Sequence, residues 1–125
     1  MNKFNAMKKI AIVTGAAKGI GKAIVKKLID DNFFVIAVDV DAEAEKNLIA
    51  EFGKGNLQIA KANICSEKIV QKLFEKIIKT YSRIDVLVNN AGIIRDNMIW
   101  KMSVEEFDTV INVNLKGTWL MCREA

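Results

Sequence analysis

Residues 10–21, Ile10-Ala11-Ile12-Val13-Thr14-Gly15-Ala16-Ala17-Lys18-Gly19-Ile20-Gly21, decide the fold. The apolar run Ile10 to Val13 reads as a strand, and Ile20, Ala23, Ile24 and Leu28 recur at helical spacing. Between them the chain must turn tightly. Gly15 can turn sharply because it has no Cβ, Gly19 lets a ligand approach the backbone, and Gly21 lets the helix pack closely on the strand. The free N–H groups and positive dipole end of that helix then face an anion. The spacing is GxxxGxG, a variant of the GxGxxG turn that cradles a pyrophosphate. A glycine-rich turn with no ligand is the competing reading.

A chain of 125 residues points to one domain, and 51% hydrophobic residues suffice for a packed core. No apolar stretch approaches the ~20 residues of a membrane span, and Met1 to Met7 lack the apolar region of a secretory signal. A cytoplasmic protein without a membrane partner is expected, with residues 1–6 as a dispensable arm. Cys65 and Cys122 stand apart, outside any CxxC, and read as ordinary thiols in a reducing compartment. No histidine is present, which excludes a histidine base, and no residue cluster predicts a metal site. The net charge of +4 comes largely from lysines such as Lys68, Lys72 and Lys76. Their four-residue spacing suits a solvated helix face better than nucleic acid binding.

Further along, Phe33 to Val38 is a continuous apolar run, as expected for a strand buried on both faces of a parallel sheet. A helix is predicted from Ala42 to Phe52, stopped by Gly53 and Gly55, then a short strand over Leu57 to Ala60. Ile69, Val70, Leu73, Phe74, Ile77 and Ile78 give a strongly periodic helix from Ser66, its N-cap, to Tyr81. Ile84 to Val88 makes a fourth strand. A last helix starts near Ser103, with Glu106 completing a capping box, and runs uninterrupted to Ala125. Alternating strands and helices imply parallel βαβ units. The expected architecture is a partial doubly wound parallel sheet of order 3-2-1-4. Helices from Gly19 and Ala42 should lie on one face, and those from Ser66 and Ser103 on the other.

Asp39, at the end of the second strand, lies 18 positions after Gly21. A carboxylate there can accept hydrogen bonds from the adenine-side ribose and repels a 2′-phosphate, which favours NAD over NADP. A surface acid capping the next helix is the alternative, and Lys18 beside the turn pulls toward NADP. Asn89-Asn90-Ala91-Gly92 closes the fourth strand. Its small residues leave room for a ligand across the sheet, while the amides can tie strands and loops together.

Thr14 to Gly21, Asp39, Asn89 to Gly92 and Asn114 together resemble the short-chain dehydrogenase/reductase family, from Lys8 onward. Ala91 to Met98, Met102 and Val113-Asn114-Leu115 look most like its 3-oxoacyl-acyl-carrier-protein and acetoacetyl-CoA reductases. The resemblance implies a Rossmann-type sheet and hydride transfer between a nicotinamide cofactor and a carbonyl such as a 3-oxoacyl thioester. A homo-oligomer is also implied. Thr14, Gly15, Lys18, Gly19, Ile20, Gly21, Asp39, Asn90, Ala91 and Gly92 would then contact the dinucleotide. Asn63 and the Ile64 backbone would hold its adenine, and Asn114 would support the proton relay.

The family's chemistry also needs a serine and a tyrosine followed four residues later by lysine. The sole tyrosine here is Tyr81, and position 85 is Asp85. Ser66, Ser82 and Ser103 fall at predicted helix ends. Residues 1–125 therefore read as one dinucleotide-binding domain, the amino-terminal half of a reductase ending inside its last helix, without turnover of its own. A non-catalytic dinucleotide-binding or oligomerisation module is the alternative.

Overall fold

In the computed structural model, residues 8–41 and 43–125 are described. The arm expected over residues 1–6 and the helix start expected at Ala42 lie outside them. The chain runs β1 (Lys9–Thr14), α1 (Gly19–Asp30), β2 (Phe33–Asp39), α2 (Ala44–Phe52), β3 (Leu57–Lys61), α3 (Glu67–Tyr81) and β4 (Val86–Val88). It ends on α4 (Val104–Ile111), a π turn (Asn112–Gly117) and α5 (Thr118–Glu124). The sheet is parallel throughout, in the order β3-β2-β1-β4.

Apolar side chains on both sides of β1 and β2 explain why the sheet is sandwiched. Ile10, Ile12, Phe34, Ile36 and Val38 pack with Val70, Phe74 and Ile77 of α3 and with Leu120 and Met121 of α5. Val13, Val35 and Ala37 face the other way, onto Val25 of α1 and Ala44 and Leu48 of α2. The two-face arrangement follows from period-two alternation along each strand. Ser66 caps α3 by accepting from the Ile69 N–H at 3.4 Å, and Ser103 with Glu106 forms the reciprocal capping box of α4.

Two elements differ from the sequence reading. β4 begins at Val86, and Asp85 just before it is held on Ile10: the Ile10 N–H donates to Asp85 Oδ2 at 2.7 Å, and the Asp85 N–H donates to the Ile10 carbonyl at 2.9 Å. The last helix is also not continuous. It widens into a π turn at Asn112–Gly117; Gly117 and the α5 residues Leu120 and Met121 are buried, whereas α4 buries no residue. Wide turns of this kind occur mostly as single interruptions, often at functional sites.

Candidate dinucleotide site

The carboxyl ends of β1, β2 and β4 converge on a cleft of about 350 Å³. Gly15 turns the chain out of β1 with φ +63°, and Gly19 starts α1 with φ +58°. Both lie in the left-handed region that glycine adopts without penalty. A Cβ at Gly15 would sit 3.0 Å from the Ala91 Cα and the Asn90 Nδ2. Nothing lies within 4 Å of a Cβ at Gly19, so its backbone is open to a ligand. At Gly21 a Cβ would fall 2.0 Å from the Gly15 carbonyl and 2.5 Å from Asn90 Nδ2. Gly21 thus permits close packing, as expected, but onto the turn and Asn90 instead of the strand.

Thr14 is fully buried and acts from beneath the turn. Its hydroxyl oxygen accepts from the N–H groups of Asn90 at 3.1 Å and Ala91 at 3.0 Å. Asn90 returns the bond, donating from Nδ2 to the Gly15 carbonyl at 3.1 Å. Two strand ends are locked together at the cleft floor. The first turn of α1 carries no acidic residue and no side-chain cap, which leaves its amino end electropositive, with exposed Lys18 at the cleft mouth. Ile20 is 74% exposed and lies outside the cleft lining.

Asp39 spans two roles. Its Oδ2 accepts from the Ala17 N–H at 2.9 Å and its Oδ1 from the Asp41 N–H at 3.0 Å. The carboxylate is fixed at the cleft edge by the glycine turn itself, and each oxygen keeps a second lone pair for a ribose hydroxyl. Asn63 lines the cleft just past β3, its Oδ1 accepting from the Cys65 N–H at 2.9 Å, with buried Ile64 beside it. Gly92 lines the cleft, whereas Asn114 does not. Instead Asn114 Oδ1 accepts from the Ile93 N–H at 2.9 Å and Nδ2 donates to the Ile93 carbonyl at 3.0 Å. Val38, Val40, Ala62, Cys65, Ile93 and Val113 complete the lining, and none of them was read as a cofactor contact in sequence. Val40 directly follows Asp39, which could have marked it. Val113 enters only through the π turn.

Residues 9–125 match the family model described as short chain dehydrogenase. The chain belongs to the short chain dehydrogenase family. Among similar proteins, a 3-oxoacyl-[acyl-carrier-protein] reductase FabG of Thermotoga maritima is 42% identical over 113 residues, covering 89% of this chain and 46% of the relative. A (2S)-[(R)-hydroxy(phenyl)methyl]succinyl-CoA dehydrogenase subunit, BbsD, of Thauera aromatica is 36% identical over 94% of this chain and 48% of its own. Among solved structures, ElxO with NADP bound superposes with a TM-score of 0.86 at 31% identity, over 94% of this chain and 49% of that one. The chain thus spans about half the length of the curated relatives it matches.

Two further residues of the chain lie away from the cleft. The Tyr81 hydroxyl donates to Gln58 Oε1 at 2.6 Å, beside the Phe34 ring, in a separate groove along β3 and α3. Burial pushes the Tyr81 phenol above its usual pKa. Asp85 is bound to Arg83 and to the Ile10 N–H. Neither is placed to move a proton at the cleft.

Proposed function

We propose that this cleft binds a nicotinamide dinucleotide, NAD in preference to NADP, with the pyrophosphate over Gly15 to Ile20 and the adenine between Asp39 and Asn63-Ile64. The observation that carries the reading is the open, electropositive start of α1 facing a cleft in which a carboxylate, Asp39, is fixed beside the glycine turn. In the whole protein the bound cofactor would exchange hydride with a 3-oxoacyl thioester or a similar carbonyl; FabG and BbsD support that substrate class. Asn114 would support the proton relay from its place beside Ile93.

Residues 1–125 supply the dinucleotide half of that chemistry. Among the described residues no serine, tyrosine and lysine set lines the cleft, and residues 1–125 are expected to bind cofactor without turning over substrate. Loss of general acid catalysis alone is worth roughly 10²–10⁴-fold in rate. Free thiols at Cys65 and Cys122 fit a reducing cytoplasm. The exposed row Val104, Phe107, Ile111, Leu115 and Trp119 fits association with a further subunit. Acetoacetyl-CoA with NADH, followed at the NADH absorbance, tests the catalytic part. Binding of NADH without its oxidation is expected from the 125-residue chain, and steady oxidation would refute the division of labour.

A further inference from the structure

Two segments of the fold grip the same π turn. From one side, Cys65 Sγ donates to the Asn112 carbonyl at 3.3 Å. Beside it, Ile64 presses on Gly117, where a Cβ would lie 2.7 Å from Ile64 Cδ1 and 2.8 Å from Ile64 Cγ1. Only glycine admits this contact without displacement. From the other side, Asn114 clasps both backbone groups of Ile93. The loop that holds Ile64 and Cys65 is itself braced by the Cys65 N–H on Asn63 Oδ1. Asn63, Ile64 and Cys65 line the cleft next to Val113 of the turn. Burial raises the Cys65 thiol above its usual pKa, with Lys116 opposing, so the sulfur keeps its proton and stays a donor at neutral pH.

We infer that Cys65 and Gly117 are positioning residues that couple occupancy of the adenine end of the cleft to the clasp of Asn114 on Ile93. The inference rests on the dinucleotide reading above. A ligand seated on Asn63 and Ile64 braces that loop. The loop passes the restraint to the turn at two points, Asn112 and Gly117, which flank Asn114. A π turn is a ready element for this purpose, because its wider ring departs from the regular helical hydrogen-bond ladder. The coupling joins the adenine end to Ile93, which lines the same cleft after β4, and loss of the Cys65 bond separates this route from direct contact with a ligand.

AMP, which carries the adenine end alone, tests the coupling by amide hydrogen exchange and chemical shifts in the purified protein. Saturating AMP is expected to shift the Asn63 to Cys65 signals and to slow exchange of the Ile93 N–H by about threefold or more. Cys65→Ala, compared at its own saturating AMP, is expected to lose most of that response. Cys65→Ser, which restores a hydroxyl donor, should recover part of it, and Gly117→Ala should alter it through Ile64. An unchanged Ile93 amide under saturating AMP, or an equal response in wild type and Cys65→Ala, overturns the coupling while leaving adenine binding intact. Absence of any shift at Asn63 to Cys65 overturns the adenine site, and the coupling with it.

Discussion

The Thr14 hydroxyl oxygen lies 3.1 Å from the Asn90 nitrogen and accepts its N–H from a fully buried position. The same oxygen takes the Ala91 N–H at 3.0 Å, so one side chain fixes the exit of β4 against the exit of β1. The Asn90 Nδ2 bond to the Gly15 carbonyl at 3.1 Å adds a second tie across the cleft floor.

Thr14→Val keeps the shape but leaves the Ala91 N–H without its acceptor and the Asn90 N–H with the Val88 carbonyl at 3.2 Å alone. An unsatisfied buried group costs about 1–3 kcal/mol. Urea unfolding is expected to show a loss in that range for Thr14→Val and a smaller one for Thr14→Ser, which retains the hydroxyl. Equal losses would point to the methyl group and not the hydroxyl.

Gly21→Ala introduces a Cβ 2.0 Å from the Gly15 carbonyl, a backbone atom that cannot rotate away. The turn must shift. Overpacking of this kind costs about 1–3 kcal/mol, and NADH affinity should fall with the stability. Gly19→Ala meets no neighbouring atom, yet its φ of +58° disfavours a side chain. It should weaken NADH binding through the backbone conformation and leave packing unaffected.

The sheet order and both packed faces were legible because β1, β2 and α3 carry unbroken or strongly periodic apolar patterns. The glycine turn, Asp39 and the Asn90 loop were legible from residue type and spacing. The π turn was not, since helical periodicity alone continues through it. Its trace lies in Phe107, Ile111, Leu115 and Trp119, which recur every four residues along the exposed side, a longer repeat than the 3.6 of an α-helix. Nor could spacing reveal that Asn114 spends its amide on Ile93, or that Asp39 is tied to the Ala17 and Asp41 N–H groups. Those bonds join segments far apart in sequence or depend on how a turn closes.

Asp85 links the start of β1 to the entry of β4. Its hydrogen bond from Arg83, then that from the Ile10 N–H, hold its carboxyl below the usual carboxylate range. A depressed folded pKa contributes stability that is present above the ordinary aspartate value of about 3.9 and is lost as pH falls through the lower folded value. Asp85→Asn should therefore lower the urea midpoint at neutral pH, and its difference from wild type should shrink in acid. A difference that does not vary with pH would mean that the charge of Asp85 contributes nothing.

The outer face of α4 and the π turn exposes Phe107 at 55% and Leu115 at 63%. Light scattering should report a mass above that of one chain at high concentration, and Phe107→Glu with Leu115→Glu should reduce it toward one chain. Persistence of the larger species in the double variant would place the contact elsewhere, for instance at the edge of β4.

Calorimetric titration of NADH and NADPH into the protein and into Asp39→Ala is the most direct test of the dinucleotide cleft. The wild type should bind NADH more tightly than NADPH. Loss of Asp39 should weaken NADH by about 1–3 kcal/mol, the range for losing a charged hydrogen-bond partner, and improve NADPH relative to it. No heat from either cofactor at saturating concentrations, or an unchanged preference in Asp39→Ala, would contradict the account.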